Sequence, residues 1–138
     1  MAKVPGKGTL LKHGVGTGPT VYTTIVQRMS IDGPDAKVGT QKTTDLDSTA
    51  EEYRPTLPDG GELGASLWWD PAEATHGLLT DLMTTPTLEH WQIVYADTGA
   101  SVCVFDGILT GFKPGGMDPD GYLSAEIKIQ VSGVITWP

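Results

Sequence analysis

The chain has 138 residues, a formal net charge of −8 and a pI of about 4.6, within the roughly 100 to 200 residues of one domain. That balance excludes a groove that grips phosphates through clustered Lys and Arg. Cys103 is the only cysteine, which excludes an intrachain disulfide and a cysteine zinc cluster. No apolar run approaches the roughly 20 residues needed to cross a bilayer, so no membrane anchoring is expected.

In chain order, residues 1–20 carry Gly6, Gly8, Gly14, Gly16 and Gly18 and read as a flexible arm. Its basic residues are followed by no apolar segment of signal-peptide length. Tyr22 to Ile31 reads as a strand with Ile25, Met29 and Ile31 inward. Between Asp32 and Gly61 the pattern weakens into polar and turn-forming residues. A short strand is expected over Ala36 to Lys42, and a long loop fills about 40–60; loops of that length are functional or order on a partner.

Leu63, Ala65, Leu67 and Trp69 then alternate as a strand does. The adjacent Trp68 and Trp69 must point to opposite faces; the outer one is either an interface anchor or, as expected here, covered by the helix that follows. That helix spans about 71–84, with Asp70 as N-cap, Pro71 at the first helical position and Glu73 completing a capping box. Leu78, Leu79, Leu82 and Met83 form its apolar stripe, Pro86 ends it, and His76 falls on its exposed side.

Trp91, Ile93 and Tyr95 mark another strand, with Trp91 in the core, and Val102 to Phe105 opens one that runs to Phe112. In the closing strand Leu123, Ala125, Ile127, Ile129 and Val131 share one face, while Ser124, Glu126, Lys128, Gln130 and Ser132 share the other. Trp137 is expected to pack against this strand. Eighteen glycines and ten prolines punctuate the chain at short intervals, as in antiparallel all-β proteins.

Several segments, in this order, resemble the lambda-type tail tube family, the major tail proteins of long, flexible-tailed phages. They are Thr43-Thr44-Asp45-Leu46-Asp47, Tyr53-Arg54, Leu57-Pro58-Asp59-Gly60-Gly61-Glu62, Trp69-Asp70-Pro71, Phe105-Asp106-Gly107-Ile108-Leu109-Thr110-Gly111-Phe112 and Ile127-Lys128-Ile129-Gln130-Val131-Ser132-Gly133. The resemblance runs from about Ser30 to the end. It implies one antiparallel β-sandwich or half-barrel over 1–138 with a flanking α-helix, similar to the tube protein of type VI secretion systems.

By the same resemblance, subunits form hexameric rings whose inner sheets join into a barrel, and rings stack into a tube. The implied partners are further copies of the chain, a tape measure protein, and tail tip and terminator proteins. Genomic DNA passes through the lumen without specific binding. The implied location is the virion tail, after assembly in the host cytoplasm. The ending at Trp137-Pro138 leaves no room for the immunoglobulin-like domain that some members carry, and the Gly-rich arm has no counterpart.

On this reading Asp45, Asp47, Glu51, Glu52, Tyr53 and Arg54 form an inter-ring or inter-subunit contact, against the plainer reading of a solvated loop. Glu126, Lys128 and Gln130 face the lumen, or are an ordinary solvent face. No catalytic, cofactor-binding or metal-ligating residues are expected, and no enzyme. His13, His76 and His90 lack a metal-binding spacing. Cys103 lies in an apolar strand, as a packing residue does. Asp118-Pro119-Asp120-Gly121 is turn chemistry without the Glu that a calcium loop requires. Two other functions stay open: the tube of a phage-like injection or secretion machine, and a monomeric β-sandwich binding module.

Overall fold

The computed structural model describes residues 3–14 and 22–138. Among them the elements run β1 (Leu10–Gly14), β2 (Tyr22–Thr24), β3 (Arg28–Asp32), β4 (Lys37–Lys42), β5 (Tyr53–Asp59), β6 (Glu62–Trp68), α1 (Ala74–Thr84), β7 (Leu88–Val94), β8 (Val102–Gly115) and β9 (Ser124–Thr136). Seven strands form one antiparallel sheet in the order β2-β1-β7-β8-β9-β6-β3, and β4 and β5 form a separate two-stranded ribbon.

The sheet is amphipathic because its strands alternate in phase. Register pairs Leu63 with Ile129, Ala65 with Ile127, Leu67 with Ala125, Trp91 with Phe105 and Ile93 with Cys103. All of these are buried, together with Leu11, Leu109 and Val131. Trp91 also donates its indole N–H to the Gly107 carbonyl at 3.1 Å. The mainly β fold with one helix among the described residues, and the alternation of the closing strand, are as the sequence reading has them.

Topology forces this sheet to curl. β2 and β3 occupy its two edges, yet only Ile25, Val26 and Gln27 separate them in the chain. Six inter-strand spacings would put the edges of a flat sheet about 29 Å apart; the four Cα steps from Thr24 to Arg28 reach about 14 Å. The crossover bonds to both sides of the resulting half-barrel: Ile25 N–H donates to Leu11 O and Trp68 N–H to Gln27 O, each at 2.9 Å. Arg28 adds a strap, its guanidinium donating to Thr9 O at 3.1 Å and Ile25 O at 2.8 Å. Gln27 turns the chain at φ 58°.

Helix α1 lies on the concave, apolar side, burying Thr75, His76, Leu79 and Leu82. It starts three residues later than the sequence reading has it. Asp70-Pro71-Ala72-Glu73 is a turn, closed by Glu73 N–H to Asp70 O at 3.0 Å, with Ala72 N–H donating to Asp70 Oδ1 at 3.0 Å. Proline suits the second position of such a turn as well as a first helical turn, and the N-cap is Glu73, which makes no side-chain cap bond.

Other expectations are corrected. Leu10–Gly14 of the supposed arm is a strand paired with β7 and β2, while Gly16 and Gly18 lie outside the described residues. Tyr22 to Ile31 is two strands, not one, and Met29 is exposed. Tyr53 to Asp59, expected in a loop, is β5. Met83, at the far edge of the helical stripe, and Trp137, beyond β9, are exposed as well.

Candidate assembly surfaces

The β4–β5 ribbon is the most exposed element of the fold: every residue of both strands is exposed. A ribbon gives each strand one free side, so the missing N–H groups of Pro55 and Pro58 can be accommodated there. With no buried face the residues do not alternate, which is why β5 is invisible to a periodicity reading.

At the tip, Asp45 Oδ1 accepts from Asp47 N–H and from the Ser48 hydroxyl, each at 3.0 Å. Thr43 N–H donates to Glu52 O at 2.8 Å, and Glu52 N–H to Thr44 Oγ1 at 2.7 Å. Asp45 and Glu52 therefore shape the tip. Glu51 accepts from Tyr53 OH at 2.6 Å and from Lys42 Nζ at 3.2 Å; these bonds hold its carboxyl below the usual range, and the first raises the Tyr53 phenol. Arg54 and Asp47 make no ion pair among the described residues. Around these polar groups Leu46, Leu57, Val38 and Tyr53 are exposed. The first three escaped the sequence reading, although an isolated leucine in a polar segment is a visible signal.

The ribbon is rooted by the Asp59-Gly60-Gly61-Glu62 segment. Gly61 has φ +67°, and a Cβ there would lie 2.0 Å from Asp35 O; a Cβ on Gly60 would lie 2.3 Å from Val131 Cγ1. Gly61 O accepts from Val131 N–H at 2.9 Å and from Gln130 Nε2 at 3.0 Å. Two glycines here let the ribbon's base close onto β9, which accounts physically for the Pro-Asp-Gly-Gly segment.

The convex face of the sheet carries Glu126 and Lys128, both exposed, on β9. Lys113 stands opposite Glu126, while Lys128 faces Gly64 and Gly111. Gln130 is half-buried and spends its amide on the ribbon root, so it differs from the two charged residues with which the sequence grouped it. Trp68 is on this convex side and 44% exposed, not covered by α1. It meets Tyr122 edge to face with ring centroids 6.2 Å apart. Trp69 packs inward on Phe112.

The histidines are structural in their contacts. His76, expected to be exposed, is fully buried; its Nε2–H donates to Val26 O at 2.8 Å, and its Nδ1 accepts from Asp70 N–H at 2.9 Å. It lies three residues before Leu79 and so on the same helical face, a spacing that was available in the sequence. His13 is buried against Trp91 and donates to Glu89 at 3.2 Å; burial pulls its pKa below the ordinary 6.5 despite Glu89. His90 donates to Asp106 at 2.6 Å. Cys103 is buried, and burial raises its thiol pKa. Among the described residues no group of three or more His, Cys, Asp or Glu side chains is arranged to hold a metal ion, and no helix is long and apolar enough to cross a membrane.

A half-barrel with two edges unpaired among the described residues, and a ribbon with no buried face, leaves hydrogen-bonding and apolar groups for other chains to satisfy. No family model matches the sequence, and no curated protein matches it. Solved structures do match in shape. A chain from the tail of an empty gene transfer agent (GTA) particle, solved with helical refinement and C6 symmetry, superposes with a TM-score of 0.76 at 16% identity, covering 97% of this chain and 98% of that one. A chain of an extracellular contractile injection system sheath–tube complex gives 0.73 at 11% identity, over 99% and 93%. A chain of the SPP1 tail tube gives 0.72 at 8% identity, over 99% and 80%. The protein has the fold seen in these tail and injection-system assemblies.

Proposed function

We propose that this chain is a non-enzymatic structural subunit of a bacteriophage tail tube, polymerising as stacked hexameric rings that form the conduit for DNA ejection. The observation that carries this reading is the likeness, over 97% of the chain, to a subunit of a C6-symmetric tail. Physical features support it. Strand-to-strand addition at edges left unpaired among the described residues extends the sheet from one subunit to the next around the ring and satisfies the edge N–H and C=O groups. A closed ring built this way needs no metal, cofactor or disulfide.

The convex sheet face then lines the lumen, with Glu126 and Lys128 in a mixed-charge wall. A wall in which Glu126 stands among Lys113 and Lys128 offers no cluster of cations to grip phosphates, so DNA passes without being held. The ribbon with Asp47, Glu51, Tyr53 and Arg54 makes the contact to an adjacent ring. A tape measure protein inside the tube, and tip and terminator proteins at its ends, complete the partners, in a virion tail assembled in the host cytoplasm.

The likeness to a contractile injection system favours a second reading, the tube of an injection machine. Negative-stain electron microscopy of the concentrated recombinant chain, with light scattering of the dilute sample, tests both. Hollow tubes or six-fold rings are expected. A chain that stays monomeric at every concentration, even when seeded with sheared tubes of its own kind, overturns the tube reading. Tubes isolated from producing cells inside a contractile sheath favour the injection machine.

A further inference from the structure

The geometry points to a head-to-tail dock in which strand β5 of one copy, through Pro55-Thr56-Leu57-Pro58, occupies the Trp68–Tyr122 groove of a second copy. This rests on the self-assembly reading above and names the site that reading leaves open.

The groove is an open surface depression of about 580 Å³ lined by Gln27, Trp68, Trp69, Tyr122 and Leu123. Trp68 is 44% and Tyr122 79% exposed, and their rings stand nearly perpendicular at 79°. Paired, exposed aromatic rings form the surface on which proline-rich extended segments dock.

The chain itself carries a matching segment. Pro55 and Pro58 pair with Thr40 and Val38, which lie two apart on one side of β4, so the register shift between them puts both prolines on one side of β5, and Leu57 beside them is 90% exposed. Charge agrees as well. Arg54 immediately precedes the first proline, while Asp120 and Asp118 stand two and four residues before Tyr122, and none of the three has an ion-pair partner among the described residues.

Position makes the contact intermolecular and directional. The ribbon is rooted beside Glu62, the first residue of β6, and the groove is built on Trp68, the last. Six residues of strand put the two about 20 Å apart, at opposite ends of the sheet. A surface at one end that fits a surface at the other is heterologous; repeated, it yields an open filament of rings and not a closed dimer.

The test mixes a Leu57→Cys chain with a Tyr122→Cys chain under assembly conditions, oxidises, and reads disulfide-linked heterodimers beside electron microscopy. A Thr98→Cys chain replaces the Tyr122→Cys chain as control, Thr98 being exposed in the β7–β8 turn at the ribbon's end of the sheet. The 57–122 pair is expected to cross-link at least ten-fold more than the 57–98 pair, and Trp68→Ala to raise the concentration at which assembly begins at least ten-fold. Tubes without the preferred 57–122 link overturn this dock and leave the tube reading standing. The link without tubes supports the dock and counts against the tube. Neither link nor tubes overturns both.

Discussion

Replacing His76 by phenylalanine tests how the half-barrel is held in its curl. The imidazole is fully buried and bonds in two directions, to Val26 O on the crossover and to Asp70 N–H at the turn into α1. Phenylalanine keeps the bulk and fills the space but leaves both backbone groups without partners. Each such loss costs about 1–3 kcal/mol. Both sites are partly open to solvent, so the lower half of that range applies, about 1–2 kcal/mol each. The more apolar ring returns about 1 kcal/mol. A net loss of about 2 kcal/mol is expected in urea unfolding of the dilute, unassembled chain, with the slope against urea unchanged. Thr75→Val serves as comparison: it removes only a 3.5 Å contact to Val26 N, and a change under about 0.5 kcal/mol is expected for so long a bond. If His76→Phe unfolds within 0.5 kcal/mol of the parent chain, the crossover is not pinned by this side chain and the argument fails.

Gly60→Ala places a Cβ 2.3 Å from Val131 Cγ1 and should cost about 1–3 kcal/mol by overpacking; adding Val131→Ala should recover at least about 0.5 kcal/mol relative to additivity, and strict additivity in the cycle would refute the close approach. For His13, the folded pKa lies below the ordinary 6.5, so the unfolded chain binds the extra proton. Its contribution is therefore complete above pH 6.5 and is lost as pH falls from there toward the folded pKa; His13→Gln should flatten unfolding-against-pH curves in that window. Amide exchange should be fast throughout residues 43–52 in the dilute subunit and strongly slowed in the assembled tube. Equal protection in both states would argue against the ribbon as an assembly contact.

Legibility in the sequence followed burial. β6, β7 and β9 each present one face to the core and one to solvent, so residues such as Ile127, Lys128 and Ile129 announce their directions. β5 buries nothing, and its prolines argued against a strand that only a free-sided ribbon can tolerate. β1 lay hidden among glycines, since three apolar or aromatic positions, Leu10, Leu11 and His13, are too few for a period. The Asp-Pro signature was readable as a turn or a helix start, and local chemistry alone does not choose between them. Among the candidate interface residues the acidic and aromatic members stood out by type. The Trp68–Tyr122 groove did not, because its two rings are 54 positions apart in the chain and meet only through the pairing of β6 with β9.

The separation of the two sheet faces has a consequence for how such a protein can change over time. Helix, core and crossover all sit on the concave side, and on the convex side Glu126 and Lys128 make no side-chain hydrogen bond or ion pair among the described residues. Charge on that wall can then drift, or be engineered, with little penalty in folding: Glu126 and Lys128 are open to exchange in a way that Ile127 between them is not. The same backbone can thus present a different pattern of charge by altering one layer of side chains.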